Sequence, residues 1–203
     1  MGWIILLVIV VLLVVVVGSV VGIYNRFVQQ RQLVQSSWQQ IDVELQRRHD
    51  LVPNLVETVK GAADFEQSTL LKVVEARQAA INTPAGDLTA RAQAEDGLAG
   101  ALKNVFALAE NYPQLTATQN YRDLQQQLTE TEDRIAAGRR FYNNNVQEYD
   151  TRLQTFPSSI IGNSFGFKPA EYFKVADASV REVPQVNFGN TNPTPPAPGA
   201  PTA

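Results

Sequence analysis

The chain has 203 residues, a net charge of -3 and a pI of about 5.2. This acidic balance lacks the basic footprint of a nucleic-acid-binding protein, so no nucleic-acid partner is expected. The chain contains no cysteine, which excludes disulfides, thiolate metal sites and thiol nucleophiles. Its length allows one soluble domain of roughly 160 residues beside an apolar segment and a proline-rich tail.

The segment 1–24 is apolar and contains no charged side chain. About 20 apolar residues suffice to cross ~30 Å of hydrocarbon, so residues 1–26 are predicted to be a transmembrane anchor. The alternative is a cleaved signal peptide, which carries basic residues before its apolar run and a small-residue cleavage site after it. The chain shows neither feature. The predicted anchor residues are Trp3, Ile4, Leu7, Val10, Leu13, Val16, Gly18, Gly22, Ile23 and Tyr24.

The basic residues beside the anchor predict its orientation. No Lys or Arg precedes Trp3, whereas Arg26 and Arg31 follow the apolar run. Because cytoplasmic flanks carry the excess of basic residues, the N-terminus is expected outside and the soluble domain in the cytoplasm. Gly18 and Gly22 have the spacing that lets two anchors approach closely and form a homo-oligomer. The simpler interpretation is that glycines are common in membrane helices.

A helical pattern of apolar residues follows the anchor over residues 27–81. Its first part alternates spacings of 3 and 4, which indicates a heptad seam on one face of a long helix. Pro53 lies inside this helix and predicts a kink, because proline removes one hydrogen bond and clashes one turn back. No loop signal separates the helix from the anchor, so the two are expected to be continuous. The seam residues are Val34, Trp38, Ile41, Leu45, Val52, Leu55 and Val59.

Two further long helices are predicted. Asp87 is a good N-cap for a helix over residues 88–110. Thr116 and Gln119 have capping-box spacing and should open a second helix, whose apolar residues continue at spacings of 3 and 4 as far as Phe156. This repeat covers about five heptads and indicates antiparallel, coiled-coil-like packing.

The C-terminal part is predicted to be less regular. A loop is expected over residues 158–167, a short fourth helix over 169–175, an extended segment over 183–188 and a disordered tail over 189–203. The predicted fold class is therefore all-α. An N-terminal transmembrane helix precedes an antiparallel bundle of three long helices and a short C-terminal helix, over residues 27–188.

One polar cluster stands out on the first helix of the bundle. Arg48 occupies a seam position, so it must be paired or exposed at the kink. The functional interpretation is a docking site for a partner; the structural one, which we favour, is a buried ionic layer pairing Arg48 with Glu132 or Glu130. The cluster comprises Arg47, Arg48, Asp50, Asn54 and Glu57, with His49 among them in the sequence.

The turn that follows the second long helix is a second candidate. Asn111, Tyr112 and Pro113 break the helical pattern there. A structured turn is the simpler interpretation, and a recognition loop is the alternative.

Eight segments of the sequence carry a resemblance to a known family: 40–45, 47–61, 110–115, 131–136, 140–143, 156–157, 166–167 and 183–188. Together they resemble the LemA family of bacterial membrane proteins. The resemblance implies one N-terminal span at the cell inner (plasma) membrane and a cytoplasmic helical bundle. It supplies no reaction, although some members are linked to membrane organisation and organelle biogenesis. His49 and Gly138 stand where the family more often has an aromatic residue and alanine.

Residues for catalysis are sparse. Di-iron bundles need Glu-x-x-His pairs, but His49 is the single histidine, and the H-E-x-x-H, P-loop and G-x-S-x-G motifs are absent. We therefore expect no enzyme, no cofactor and no metal site. The expected function is a membrane-bound scaffold, adaptor or membrane-organising factor with an unidentified protein partner. A sensor or binding protein for a lipid, a peptide or a partner helix is the alternative, and a hydrolase with a polar site near Pro53 is a remote third.

Overall fold

The computed structural model describes residues 1–61, 66–84 and 86–174. Within these ranges every regular element is a helix, which confirms the all-α prediction. The predicted extended segment 183–188, the tail 189–203 and the end of the domain at residue 188 lie outside the described residues. The helices are α1 Gly2–Lys60, α2 Gln67–Asn82, α3 Leu88–Ala109, α4 Pro113–Thr116, α5 Gln119–Gln154 and α6 Ser158–Ser164.

The anchor and the first bundle helix are one element, α1. It contains 59 residues, so at ~1.5 Å per residue it is roughly 90 Å long. Its most apolar window has a mean hydropathy of 3.6, and none of that window is buried against the described chain. By length and composition, α1 can therefore cross a membrane.

Beyond the anchor, α1 packs along α5 in antiparallel orientation. Phe27 contacts the C-terminal end of α5, whereas Leu55 belongs to the same core cluster as Leu128 near its N-terminal end. Ile41, Leu45, Val52, Leu55 and Val59 are almost inaccessible to solvent, which confirms these five positions of the predicted seam. Val34 and Trp38, the first two, are half-buried. Burying each such side chain stabilises the fold by ~1.5–3 kcal/mol.

The helix predicted over residues 27–81 is interrupted, so that prediction is wrong. α1 ends at Lys60 with Gly61 as its C-cap, and α2 begins at Gln67. α2 then packs on α3, while α1 packs mainly on α5. The apolar period continues through Leu70 and Val73 and so conceals the break; the low helix propensity of Gly61 was its local signal.

The cap of α3 is as predicted, whereas α5 begins slightly later than predicted. Asp87 caps α3 as expected, accepting a hydrogen bond from the Ala90 N–H at 2.8 Å. The N-cap of α5, however, is Thr118, whose side chain accepts from the Tyr121 N–H. Thr116 lies in the short helix α4, since Pro113 is well suited to the first position of a helix.

The loop and the short helix predicted after α5 are both wrong. Residues 158–164 form α6, where a loop was expected, and residues 167–174 contain no helix, where a short helix was expected. The Phe173 N–H donates to Asn143 Oδ1 at 3.0 Å, and the Phe173 carbonyl accepts from Asn143 Nδ2 at 3.1 Å. A distant side chain on α5 thus satisfies the backbone groups that a helix would have paired locally.

Candidate functional site

The predicted polar cluster divides between two faces of α1. The side chain of Arg48 is buried and points into the bundle, and Arg47 is half-buried. Asp50, Asn54 and Glu57 lie on the solvent-exposed face. The structure therefore does not bring the five residues together into one site.

Arg48 lies at the centre of an ionic layer formed by Arg48, His49, Glu95 and Glu132. The side chains of Arg48, His49 and Glu95 are buried, whereas that of Glu132 is 42% exposed. Its Nη2 lies 2.5 Å from Glu95 Oε2, and its Nη1 lies 2.6 Å from Glu132 Oε2. The Nη2 group also donates to the backbone carbonyl of Glu95 at 3.3 Å. The predicted pairing with Glu132 is confirmed, and one guanidinium joins α1, α3 and α5.

His49 completes the layer from the next position of α1. It is buried, and its Nε2 lies 3.0 Å from Oε1 and 3.3 Å from Oε2 of Glu95. Burial alone would raise the pKa of Glu95, but the hydrogen bond with His49 and the charge of Arg48 together hold that pKa below its ordinary value. Glu95 is therefore kept as a carboxylate.

Pro53 connects the ionic layer to α2. A proline has no N–H to bond the carbonyl one turn back, which is here the carbonyl of His49. The Arg77 Nε–H of α2 donates to that carbonyl at 2.7 Å. α2 thus satisfies the acceptor that Pro53 leaves open, and all four long helices contribute side chains around one turn of α1.

Glu95 is the member of this layer that the sequence prediction missed. It is fully buried on α3 and lies on the same stripe as Ala92 and Leu102. A charged residue at a seam position was the available signal, as it was for Arg48. Pairing the two requires knowing which helices face each other, and the apolar period does not contain that information.

The layer offers little room for chemistry. A groove of about 200 Å³ lies beside Glu132, between α3 and α5, with Leu102, Phe106 and Leu128 among its lining residues. Within the described part of the chain, no group of three or more His, Asp or Glu side chains is arranged to hold a metal ion. The geometry therefore fits a structural function for these charges.

The turn at residues 111–113 is structured. The carbonyl of Tyr112 accepts hydrogen bonds from Leu115 N–H at 3.0 Å and Thr116 N–H at 3.2 Å, which start α4. Its side chain is half-buried against the largest core cluster, while Asn111 and Pro113 are exposed. These contacts favour the structured-turn interpretation.

The predicted anchor residues lie along the first part of α1. From Trp3 to Val16 the large apolar side chains are exposed, and a Cβ added at Gly18 or Gly22 would meet nothing within 4 Å. Ile23 and Tyr24 differ, because they already contact the bundle: Ile23 packs near Phe27, and the Tyr24 ring lies 5.0 Å from that of Phe165. The bundle thus begins where the apolar segment ends.

Comparison with known proteins identifies the family. The LemA family profile matches residues 37–188. The chain is 29% identical to Magnetosome protein MamQ 2 of Paramagnetospirillum magneticum, over 74% of this chain and 64% of that protein. It is 24% identical to Protein LemA of Metamycoplasma hominis, over 77% of this chain and 71% of that protein. The chain thus spans just under two thirds of the length of its MamQ relative. Because the profile covers well over half of its residues, the chain belongs to the LemA family.

Proposed function

We propose that this chain is a membrane-anchored, non-enzymatic bundle protein that acts as a scaffold, an adaptor or a membrane-organising factor. One observation carries the proposal: α1 is continuous from Gly2 to Lys60. Its first part is apolar and exposed, and its second part is the spine of the bundle core. A helix with both properties couples the position of the bundle to the bilayer.

The packing around α1 supports a stiff connection. Phe27 is fully buried against Tyr149 and Leu153 of α5, so the bundle encloses α1 within one turn of the last apolar anchor residue, Ile23. Phe167 stacks on Phe27 with ring centroids 5.0 Å apart. Such packing leaves no flexible linker between the anchor and the bundle.

The ionic layer supports a function without catalysis. The buried carboxylate of Glu95 is paired with Arg48 and His49, and a general acid or base would instead need access to a substrate. In the proposal the partners are the bilayer and an unidentified protein, with the Gly18 and Gly22 face as a route to self-association. No cofactor and no nucleic acid take part.

The flanking charges and the relatives support the proposed location. Arg26 and Arg31 favour a cytoplasmic bundle beneath the inner (plasma) membrane. Relatives named magnetosome proteins support a function in membrane organisation in bacteria.

A spin-label scan tests the rigid connection. The chain has no cysteine, so single cysteines at successive positions of 23–32 carry labels without background. With the full-length protein in vesicles, label accessibility should vary with a helical period of about 3.6 residues. Uniformly mobile spectra across these positions would show a flexible tether and contradict the proposal.

Crosslinking in membranes tests the scaffold function. The full-length protein should give a defined multimer or a defined complex, and replacing Gly18 and Gly22 by Leu should remove the multimer if the anchors mediate it. A monomer without any captured partner would count against the scaffold.

A further inference from the structure

We propose that the membrane-proximal end of the bundle makes a second contact with the bilayer, separate from the anchor. The contact surface, called here the α6 tip, consists of Phe156, Ile160 and Phe165. Its occupant is the headgroup layer, containing anionic lipid, of the same membrane that the anchor spans. The inference rests on the proposed anchoring of α1.

The height of the α6 tip along α1 is the first argument. The last apolar anchor residue is Ile23, and the rings of Tyr24 and Phe165 are 5.0 Å apart. A Cβ added at Gly162 of α6 would lie 3.1 Å from the Phe27 ring, so α6 packs directly on α1 at that turn. Since a helix with its side chains is about 10 Å across, α6 lies over the lipids that surround the anchor.

Exposure is the second argument. Phe156 is 77% exposed, and Ile160 and Phe165 are each 56% exposed. Tyr24 is partly exposed beside them. Aromatic and aliphatic side chains at the level where a helix enters the bilayer are typical of the interfacial belt. In water these three side chains would remain hydrated, whereas the headgroup and upper acyl region would bury them.

Charge is the third argument, and the fold was needed to reveal it. The sequence has no Asp or Glu in residues 2–41 or in residues 151–170. Packing of α6 on α1 brings these two segments together, so Arg152 and Lys168 join Arg26 and Arg31 at the same end of the bundle. Four basic residues reach the lower limit of clusters that attract anionic lipids. The sequence beside the anchor contains only two of these basic residues, Arg26 and Arg31.

The acidic side chains nearest to this charge lie on the side of the tip that faces away from the bilayer. Glu148 lines the same groove as Arg152. Glu171, whose carbonyl accepts a hydrogen bond from the Tyr142 hydroxyl of α5 at 2.8 Å, lines the same groove as Arg31. Asp150 and Glu148 lie on α5 at least half a turn farther from the membrane than Arg152. The carboxylate of Asp150 accepts a hydrogen bond from the Ala170 N–H at 3.1 Å, which holds the segment after α6 in place. The surface facing the bilayer is therefore apolar at its centre and basic around it.

Depth measurements with spin labels test the α6 tip. Labels are placed on the full-length protein at Ile160→Cys or Phe165→Cys, in vesicles of phosphatidylcholine with a minor fraction of phosphatidylglycerol. Collision rates with oxygen and with a water-soluble nickel chelate report depth. Val10→Cys is the immersed control. Leu71→Cys on α2 is the matched control, since Leu71 is also apolar and 52% exposed but lies far along the bundle.

Labels at positions 160 and 165 should collide severalfold more with oxygen, relative to the nickel chelate, than the label at 71. Labels at 160 and 165 that behave like the label at 71, while the label at 10 is immersed, would overturn the second contact and leave the anchor intact. An aqueous label at position 10 would overturn the anchor and this inference together. All substituted positions are exposed, so folding should be retained, and circular dichroism of each variant verifies it.

Discussion

Two layers of the bundle core, about 15 Å apart along α1, both join α1 to α5, but by different means. The ionic layer joins Arg48 to Glu95 and Glu132 through charge. The second, called here the aromatic layer, consists of Trp38, Tyr142 and Phe173. Its ring centroids are 5.7 Å apart for Trp38 and Tyr142 and 5.1 Å apart for Trp38 and Phe173.

The two layers differ in what they contribute. Burying charges costs desolvation energy that their attraction roughly offsets, so an ionic layer adds little net stability and mainly makes wrong pairings costly. An aromatic layer gains stability from apolar area and from ring contacts of about 0.5–1.5 kcal/mol each. We infer that the first layer fixes the register of α1, α3 and α5, and that the second stabilises the bundle and retains the segment 167–174.

Removing one partner of the ionic layer should have the largest effect. Glu95→Ala leaves Arg48 buried and opposite Glu132 alone, so the free energy of unfolding should fall by ~3–5 kcal/mol. Urea unfolding of the full-length protein in mild detergent measures this. The control is Glu57→Ala, which removes only an exposed pair with Lys60 and should change stability by less than ~0.5 kcal/mol.

Replacing the pair together sharpens the comparison. Arg48→Met combined with Glu95→Leu should recover most of the loss, because apolar side chains of similar volume can substitute for a buried ion pair. If the double variant is as unstable as Glu95→Ala, the charges contribute net stability and our distinction between the layers is wrong.

The aromatic layer should show the next largest effect. Phe173→Ala removes a fully buried ring and should cost ~3 kcal/mol, at the lower end for such changes because the segment can partly collapse. Faster amide hydrogen exchange should follow at residues 167–174. The exposed Phe141 provides the control, since Phe141→Ala should leave both stability and exchange nearly unchanged.

Local signals in the sequence correctly predicted the elements whose determinants are local. Asp87 caps α3 by accepting a hydrogen bond from Ala90, three residues away. The seam of α1 follows from an apolar repeat within one helix. Arg48 and Glu132 could be paired because a charge at a seam position needs a partner, and both predicted candidates lay on the helix with the longest heptad pattern. The capping prediction at Thr116 was two residues from the true cap, because Pro113 starts α4 first.

The remaining features depend on residues distant in sequence. Asn143 binds the backbone of Phe173 across 30 positions, so the segment 167–174 forms no helix, despite a composition compatible with one. Glu95 pairs with Arg48 because α3 lies beside α1 at this level. The apolar repeat predicts which face of a helix is buried, but it does not predict which helix packs against that face. The charge of the α6 tip likewise appears only after the ends of α1 and α5 are brought together.

The hydrogen bond between Arg77 and His49 should give a smaller effect that depends on Pro53. Arg77→Met leaves the carbonyl of His49 without its donor and should cost ~1–3 kcal/mol. In a Pro53→Ala background, the new N–H at position 53 bonds this carbonyl, so the same change should cost less by ~1 kcal/mol or more. Equal costs in both backgrounds, measured by a double-mutant cycle, would show that Arg77 acts through other contacts.

The smallest effect should be the pH dependence contributed by Glu95, whose carboxylate contacts Arg48 and His49. The pKa of Glu95 is lowered in the folded protein from an ordinary value of 4.5. Above this pH, Glu95 is ionised in both the folded and unfolded states, and its contribution to stability is complete. As the pH falls below about 4.5, the unfolded state binds the proton first, so the free energy of unfolding decreases until the folded pKa is passed.

Urea midpoints between pH 7 and pH 3 should therefore fall less steeply for Glu95→Gln than for the natural chain. No comparable acid-dependent term is expected from the aromatic layer, and parallel curves for the two proteins would show that Glu95 titrates alike in both states.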